Sequence, residues 1–341
     1  MRTLSLRAAL AVAVTFAAPA TGTRIVAQDA WVLQSLQAYA DGRQADAAEK
    51  LRSIGSLRQF QDDLDQLAPK WLDVKGDAAE RHRRAIIAFA LEAAIVHLDQ
   101  ASEASKLAEW SCRQVRRHSK PDDFDHLVQM TVFAILAGAV DPDALEAHVT
   151  HVKFQFPTEP RLALERGLAE ELRAAPFYEP AKQVPGDVVK HREEAARRYA
   201  EAAKNPATLA EASLRLGRVQ LDLGKPTEAL KALEAVEPAT KETALWYLAR
   251  LFRGLACDRL KQPAEAARAY EQALALRPQA QSAEISLAAL AFRQADRQRA
   301  DQLAHDLLSR QTPGDDPWWA YWPGDYRLGS ELIRTLREGV Q

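Results

Sequence analysis

Turn-forming residues are scarce in this chain: a single asparagine, Asn205, and only 14 glycines stand among 341 residues. That leaves little material for the tight turns that join β-strands. Hydrophobic residues make up 47% of the chain, much of it alanine and leucine, which lose little side-chain freedom in a helix. An all-α protein is expected. Charge of one sign is also lacking, since 45 lysines and arginines face 47 aspartates and glutamates, for a net charge of −2. Such a balance gives no overall attraction to nucleic acid or an anionic membrane. The basic runs Arg81–Arg84 and Arg113–Lys120 read as solvated helix faces, with a polyanion site as the alternative.

Catalytic signatures are missing as well. There is no nucleophile elbow, phosphate loop or paired-histidine zinc helix. Gly217 and Gly224-Lys225 imitate a phosphate loop, but six residues separate the glycines where four are needed, and Pro226 stands in place of the hydroxyl that would meet magnesium. His148 and His151, three apart on one expected helix, could reach a common ion, yet no further ligands sit at a recognisable spacing. A partly packed helix face explains them. His126 beside Asp122, Asp123 and Asp125 reads as a helix start whose acids compensate the dipole. No cofactor, no metal and no enzymatic activity are expected.

No apolar run is long enough to span a bilayer. Met1–Arg7 is basic, Ala8–Ala18 is apolar, and Ala18-Pro19-Ala20 supplies small residues for cleavage, the order of an export signal. Residues 1–20 are therefore expected to be removed, with cleavage after Ala27 as an alternative and a buried helix as the competing explanation. Loss of residues 1–20 would leave 43 basic and 47 acidic residues, a net charge of −4. The mature protein is expected to be exported, periplasmic or extracellular.

What the chain does contain is self-similarity. Gly217–Ala229–Leu233–Val236, Gly254–Ala266–Tyr270–Ala273 and Ala288–Ala300–Ala304–Leu307 share one spacing and recur at intervals of 37 and 34. A fixed period of this length means stacked helical hairpins, none of which buries its apolar face alone. Thr208-Leu-Ala-Glu211 has the form of a capping box, Leu223-Gly224 closes that helix, and Pro226 and Pro263 open second helices. These residues resemble the tetratricopeptide repeat family, most closely at Gly254, Ala266, Tyr270, Ala273 and Pro278. Gln220 and Cys257 depart from it, standing where the family usually has an aromatic residue. The resemblance implies an α-solenoid of antiparallel helical hairpins over residues 207–312. It also implies a concave face of first helices on which peptides or partner helices lie.

Degraded versions of the pattern extend upstream through residues 28–206. Trp31 to Ile54 fits one repeat with a turn at Tyr39–Gly42. Residues 77–99 and 102–119 form a second hairpin, Asp122–Ala139 and Pro142–Lys153 a third. Glu159–Ala174 and Asp187–Lys204 form a fourth, with a loop from Pro176 to Pro185 inserted at its turn. In such an array Cys112 and Cys257, 145 residues apart, lie several units from one another. Two unpaired thiols are expected.

On the concave face the pattern places Arg215, Arg218, Asp222, Asp258, Arg259, Phe292 and Arg293 as candidate partner-binding residues. Solvated charges on the inner curve are the alternative. Residues 313–341 are distinct, because Trp318, Trp319, Tyr321 and Trp322 crowd into five positions. Two explanations remain open. The rings could cap the open end of the last repeat, with Asp325–Gly339 as a closing helix whose stripe is Leu328, Leu332 and Leu336. Alternatively they could form an exposed platform for a glycan, peptide or membrane. The function expected is a non-enzymatic scaffold for a protein or peptide of the cell envelope, with glycan or membrane-surface binding through the aromatic segment as the alternative.

Overall fold

The computed structural model describes residues 21–115, 121–176, 184–310, 315–322 and 329–341. The expected signal, most of the Pro176–Pro185 insertion and most of the segment between Trp322 and Gly329 lie outside the described residues. The elements are α1 (Thr21–Ala40), α2 (Ala45–Arg52), α3 (Leu57–Trp71), α4 (Asp77–Val96), α5 (Ala101–Val115), α6 (Asp123–Gly138), α7 (Pro142–Gln155), α8 (Leu162–Arg173) and α9 (Pro185–Ala202). There follow α10 (Leu209–Asp222), α11 (Pro226–Leu233), the short α12 (Val236–Ala239), α13 (Thr243–Arg259), α14 (Pro263–Leu276), α15 (Gln281–Arg293) and α16 (Arg297–Leu308). A 3₁₀ turn, Pro317–Ala320, and α17 (Gly329–Gly339) close the chain. No strand occurs among the described residues.

Consecutive helices pack as antiparallel hairpins, α4/α5, α6/α7, α8/α9, α10/α11, α13/α14 and α15/α16. The first helices also touch one another, α4 with α6, α6 with α8, α10 with α13 and α13 with α15. They therefore form the inner row of a curved solenoid, and the second helices form the outer row.

Hairpin geometry repeats where the residues do not. Val140, Gly224, Lys261 and Ala295 each stand two residues before the second helix of a hairpin, and all have positive φ, 55°, 73°, 59° and 62°. This left-handed conformation lets the chain reverse after the first helix. Only one of the four is a glycine, so the fold imposes the turn on side chains that resist it. The close approach of paired helices is conserved in the same way. A Cβ on Gly167 would lie 2.5 Å from the Tyr199 ring and one on Gly217 2.6 Å from Leu233, while one on Gly254 would collide with Tyr270. The pair Gly167/Tyr199 shows that α8/α9 is a repeat with residues inserted at its turn.

One element lies outside the expected hairpins and one expectation is corrected. Residues 57–71 form a further helix, α3, begun by the Ser56 side chain accepting from the Gln59 backbone N–H. Its buried Leu57, Phe60, Leu64, Leu67 and Trp71 follow helical spacing, so the signal was present in the sequence. The Thr208–Glu211 pattern is no capping box: Thr208 Oγ1 donates to the Ala202 carbonyl at 2.7 Å, and Glu211 is taken by Arg215. Conversely, Asp122 and Asp125 do form a capping box at the start of α6. Both cysteines are buried and neither is in a disulfide.

Candidate functional site on the inner face

The C-terminal segment decides what the inner face can do. Instead of covering α15/α16, it turns back along the inner row. The 3₁₀ turn packs on α13, and α17 packs on α4 and α6.

At the first contact, spacing of i to i+4 puts Glu211 and Arg215 one turn apart on α10. Arg215 Nε donates to Glu211 at 2.7 Å, Nη1 to Glu171 of α8 at 3.3 Å, and Nη2 to the backbone carbonyl of Tyr321 at 2.9 Å. The Tyr321 hydroxyl donates to Glu171 Oε1 at 2.5 Å, and the Tyr199 hydroxyl to Oε2 at 2.6 Å. Arg215 is 1% exposed, and Tyr199, Glu171 and Tyr321 are buried with it. Burial raises both tyrosine pKa values, and the neighbouring Glu171 charge raises them further, so the phenols remain donors. Burial opposes the charge of Arg215, but the surrounding acids, led by Glu211, outweigh it and hold the guanidinium protonated. Glu165 on α8 completes the cluster, and its pKa is pushed up, mainly by burial.

Rings line the adjoining slot. Trp318 stacks on Tyr321 at 5.5 Å between centroids, and Phe252 of α13 meets both edge-on at 5.9 and 5.5 Å. The Arg218 guanidinium lies 5.8 Å from the Phe252 centroid and 5.5 Å from that of Trp318. Upstream, Asp316 accepts from the Ser282 N–H at 2.7 Å, at the electropositive start of α15, and from the Trp318 N–H at 3.0 Å.

A second contact anchors α17. Arg337 Nε donates to Glu92 of α4 at 3.0 Å, its Nη2 donates to the other carboxylate oxygen, and the Tyr39 hydroxyl of α1 donates to the same Glu92. Arg84 Nη1 donates to the Gly339 carbonyl at 3.0 Å. Leu336 and Val340 join the N-terminal core, and Gly339 lies so close to Phe124 that a Cβ would be 2.8 Å from its ring. The closing helix thus forms, with Leu336 buried on its stripe, but it covers the first half of the array. Its expected member Leu328 lies outside the described residues.

These findings correct the partner-binding set. Arg215 is internal and already bonded to the protein's own tail. Arg218 pairs with Asp222 on its own helix, Asp258 with Arg293 between α13 and α15, and Arg259 donates to the Leu221 carbonyl of α10. Most of these charges therefore tie inner helices together. Arg259 and Arg293 remain exposed, and Phe292 is 54% exposed beneath Arg297, whose guanidinium lies 4.1 Å from its centroid. Both explanations of the aromatic segment are also corrected. Tyr321 is buried, Trp318 and Trp322 are half-buried on the inner face, and Trp319 alone of the four turns outward, 68% exposed. The rings neither cap the last hairpin nor form an open platform.

The other sequence candidates resolve into packing. His148 is buried, edge-on to Phe133 at 4.6 Å, with Nε2 3.1 Å from the Gln129 carbonyl. Among the described residues no group of three His, Cys, Asp or Glu could hold a metal ion. His126 contacts Glu159 at 2.6 Å. In the basic run, Arg83 bonds Glu80 and the buried Asp125, and Arg84 bonds Glu80 and Asp122. No described helix is long and apolar enough to cross a membrane.

One sequence feature marks this arrangement. Glu92 is the single charge within the apolar stretch Ala85–Val96, so a helix buried there must pair it. Glu171 and Arg215 carry no such mark, because both sit in mixed helices.

Fold and inner face together define an α-solenoid of helical hairpins whose concave side holds polypeptide. Residues 248–279, which span α13 and α14, match the family model described as tetratricopeptide repeat. That hairpin is similar to a tetratricopeptide repeat, a unit that in general serves as a scaffold for protein–protein interaction, and the other hairpins share its geometry. No curated protein matches the chain.

Proposed function

We propose that the protein is a non-enzymatic scaffold that holds another protein or peptide on its inner face, and that it works in the cell envelope. One observation carries the binding role: the inner face already grips a polypeptide, residues 315–322, with side chains from three hairpins. Beyond that segment the same face continues onto α15, where Ile285 and Phe292, seven residues apart on one side of the helix, are 51% and 54% exposed beside Arg293. Arg259 edges this surface. Envelope location rests on the Met1–Ala20 pattern. Binding of a glycan or membrane through the aromatic segment has weaker support, since Trp319 alone of its four rings faces solvent.

The test is capture and cross-linking of envelope proteins by the full chain and by a Phe292→Asp, Arg293→Glu variant. A specific protein cross-linked to α13 or α15 in the first and lost in the second is the expected result. Recovery of polysaccharide alone, or equal capture by both, would refute the proposal.

A further inference from the structure

We propose that residues 315–322 are an internal ligand of the groove between α8, α10 and α13, and that the partner is a protein carrying a segment of the same chemistry. That chemistry is an acidic residue followed by aromatic rings and a tyrosine. This deepens the scaffold reading and rests on it.

The groove offers four features that match such a segment. Glu171 is a buried carboxylate that receives the Tyr321 hydroxyl at 2.5 Å. Arg215 is a buried guanidinium whose Nη2 donates to the backbone carbonyl of that tyrosine, at 2.9 Å. Phe252 and Arg218 form a slot for a flat ring, filled by Trp318. The Ser282 N–H at the start of α15 receives a carboxylate, that of Asp316. The order acid, ring, tyrosine follows the order of these receptors along α15, α13 and α8.

Removal of the segment would take the Tyr321 hydroxyl from Glu171 Oε1 and the Tyr321 carbonyl from Arg215 Nη2. Such a site selects strongly for a ligand that supplies a hydroxyl donor and a carbonyl acceptor, because an analogue lacking the hydroxyl leaves the carboxylate unsatisfied. Tethering holds the internal segment at an effective concentration of about millimolar, so a free partner segment must outcompete it. Occupancy in cis thereby sets a threshold for binding.

The test uses the full chain and a fluorescent synthetic peptide with the sequence of residues 315–322. In the variant Trp318→Ala, Tyr321→Ala the internal ligand loses its ring and its hydroxyl. This variant should bind the peptide at least about 10-fold more tightly than the wild type, as expected when a millimolar competitor is removed. A peptide with phenylalanine at the tyrosine should bind about 10-fold more weakly, since a hydrogen bond to a charged group is lost. Should the double variant fail to fold, Tyr321→Phe in the full chain keeps the ring and removes only the bond to Glu171. It should raise affinity for the tyrosine peptide severalfold.

Equal binding by wild type and folded variants, or none, overturns the proposal. So does a variant that doubles in mass by light scattering, because the occupant would then be a second copy. If the peptide fails while the wild type still captures an envelope protein through α15, this inference falls and the scaffold stands. If the peptide exchanges but no envelope protein is captured, the groove chemistry stands and the scaffold role falls.

Discussion

In the first half of the array, α4 is buried on every side from Ala85 to Ile95, and α6 likewise from Thr131 to Ala137. In the second half, α13 and α15 keep exposed positions between buried ones, at Arg253, Arg259, Ile285 and Phe292. The halves share hairpin topology and turn conformation, so the difference is not architectural. It arises from what covers the inner row. Helix α17 seals α4 and α6 with Leu336, Val340 and the Arg337–Glu92 pair, whereas α10 and α13 are covered by one short turn and α15 is left open. A solenoid that is closed at one end and open at the other leaves its uncovered inner surface, with Ile285 and Phe292, at the open end. Sequence regularity follows the same division: the strict repeat survives where the hairpins are covered by no more than the short turn, and degrades where α17 adds contacts of its own.

The comparison can be broken most severely at the junction between the halves. Arg215→Ala would leave Glu171 and Glu211 buried without their cation, a loss of about 3–5 kcal/mol, while Arg293→Ala on the open end should cost about 0.5 kcal/mol or less. Denaturant titration of both variants decides this. Equal losses would mean that Arg215 is solvated and that the tail does not occupy the groove.

Next in size is the seal. Leu336→Ala should cost about 2–5 kcal/mol, the range for a buried leucine. The loss should appear in hydrogen exchange as faster opening of α4 and α6, with α13 and α14 unchanged. Faster exchange in α15 and α16 instead would return α17 to the end of the array.

A smaller effect tests the repeat itself. Gly254→Ala sets a methyl against the Tyr270 ring, an overpacking expected to cost about 1–3 kcal/mol. At Gly224, with φ of 73° and nothing near its Cβ position, alanine should cost about 1–2 kcal/mol through backbone strain alone. The variants therefore separate by mechanism: the cost of Gly254→Ala should disappear in a Tyr270→Ala background, as at the equivalent pair Ala288/Ala304, and that of Gly224→Ala should not.

The least effect distinguishes the halves by sign. Arg83 and Arg84 hold the Glu80 carboxyl down at about 2 against burial that opposes them. Its contribution is complete above the ordinary glutamate range and is lost as pH falls toward 2. Glu165 is shifted upward by burial, so its contribution is complete below the ordinary range and is lost as pH rises through the raised value. Acidification from pH 6 to pH 3 should therefore weaken the Glu80 pairs with Arg83 and Arg84 within α4 while relieving the α8/α10 cluster. Melting curves of Glu80→Gln and Glu165→Gln across that window should diverge in opposite directions from the wild type, and parallel curves would contradict the assignment.

The sequence by itself determined the helices, their pairing and the repeat, because these depend on neighbours within about forty residues. Apolar positions at helical spacing, prolines at helix starts and the Gly254–Tyr270 pair are local signals, and the all-α solenoid followed from them. Helix α3 was equally legible at Leu57, Phe60, Leu64 and Trp71. Only the tertiary structure decided the fate of the inner face, because the contacts that fill it join residues far apart in the chain. Arg337 meets Glu92 across 245 residues, and Tyr321 meets Glu171 across 150. Arg215 illustrates the limit. Its spacing assigned it to the concave side, but whether a concave arginine meets solvent, a partner or the chain's own carbonyl depends on where a distant segment comes to rest. Periodicity in one helix carries no information about that.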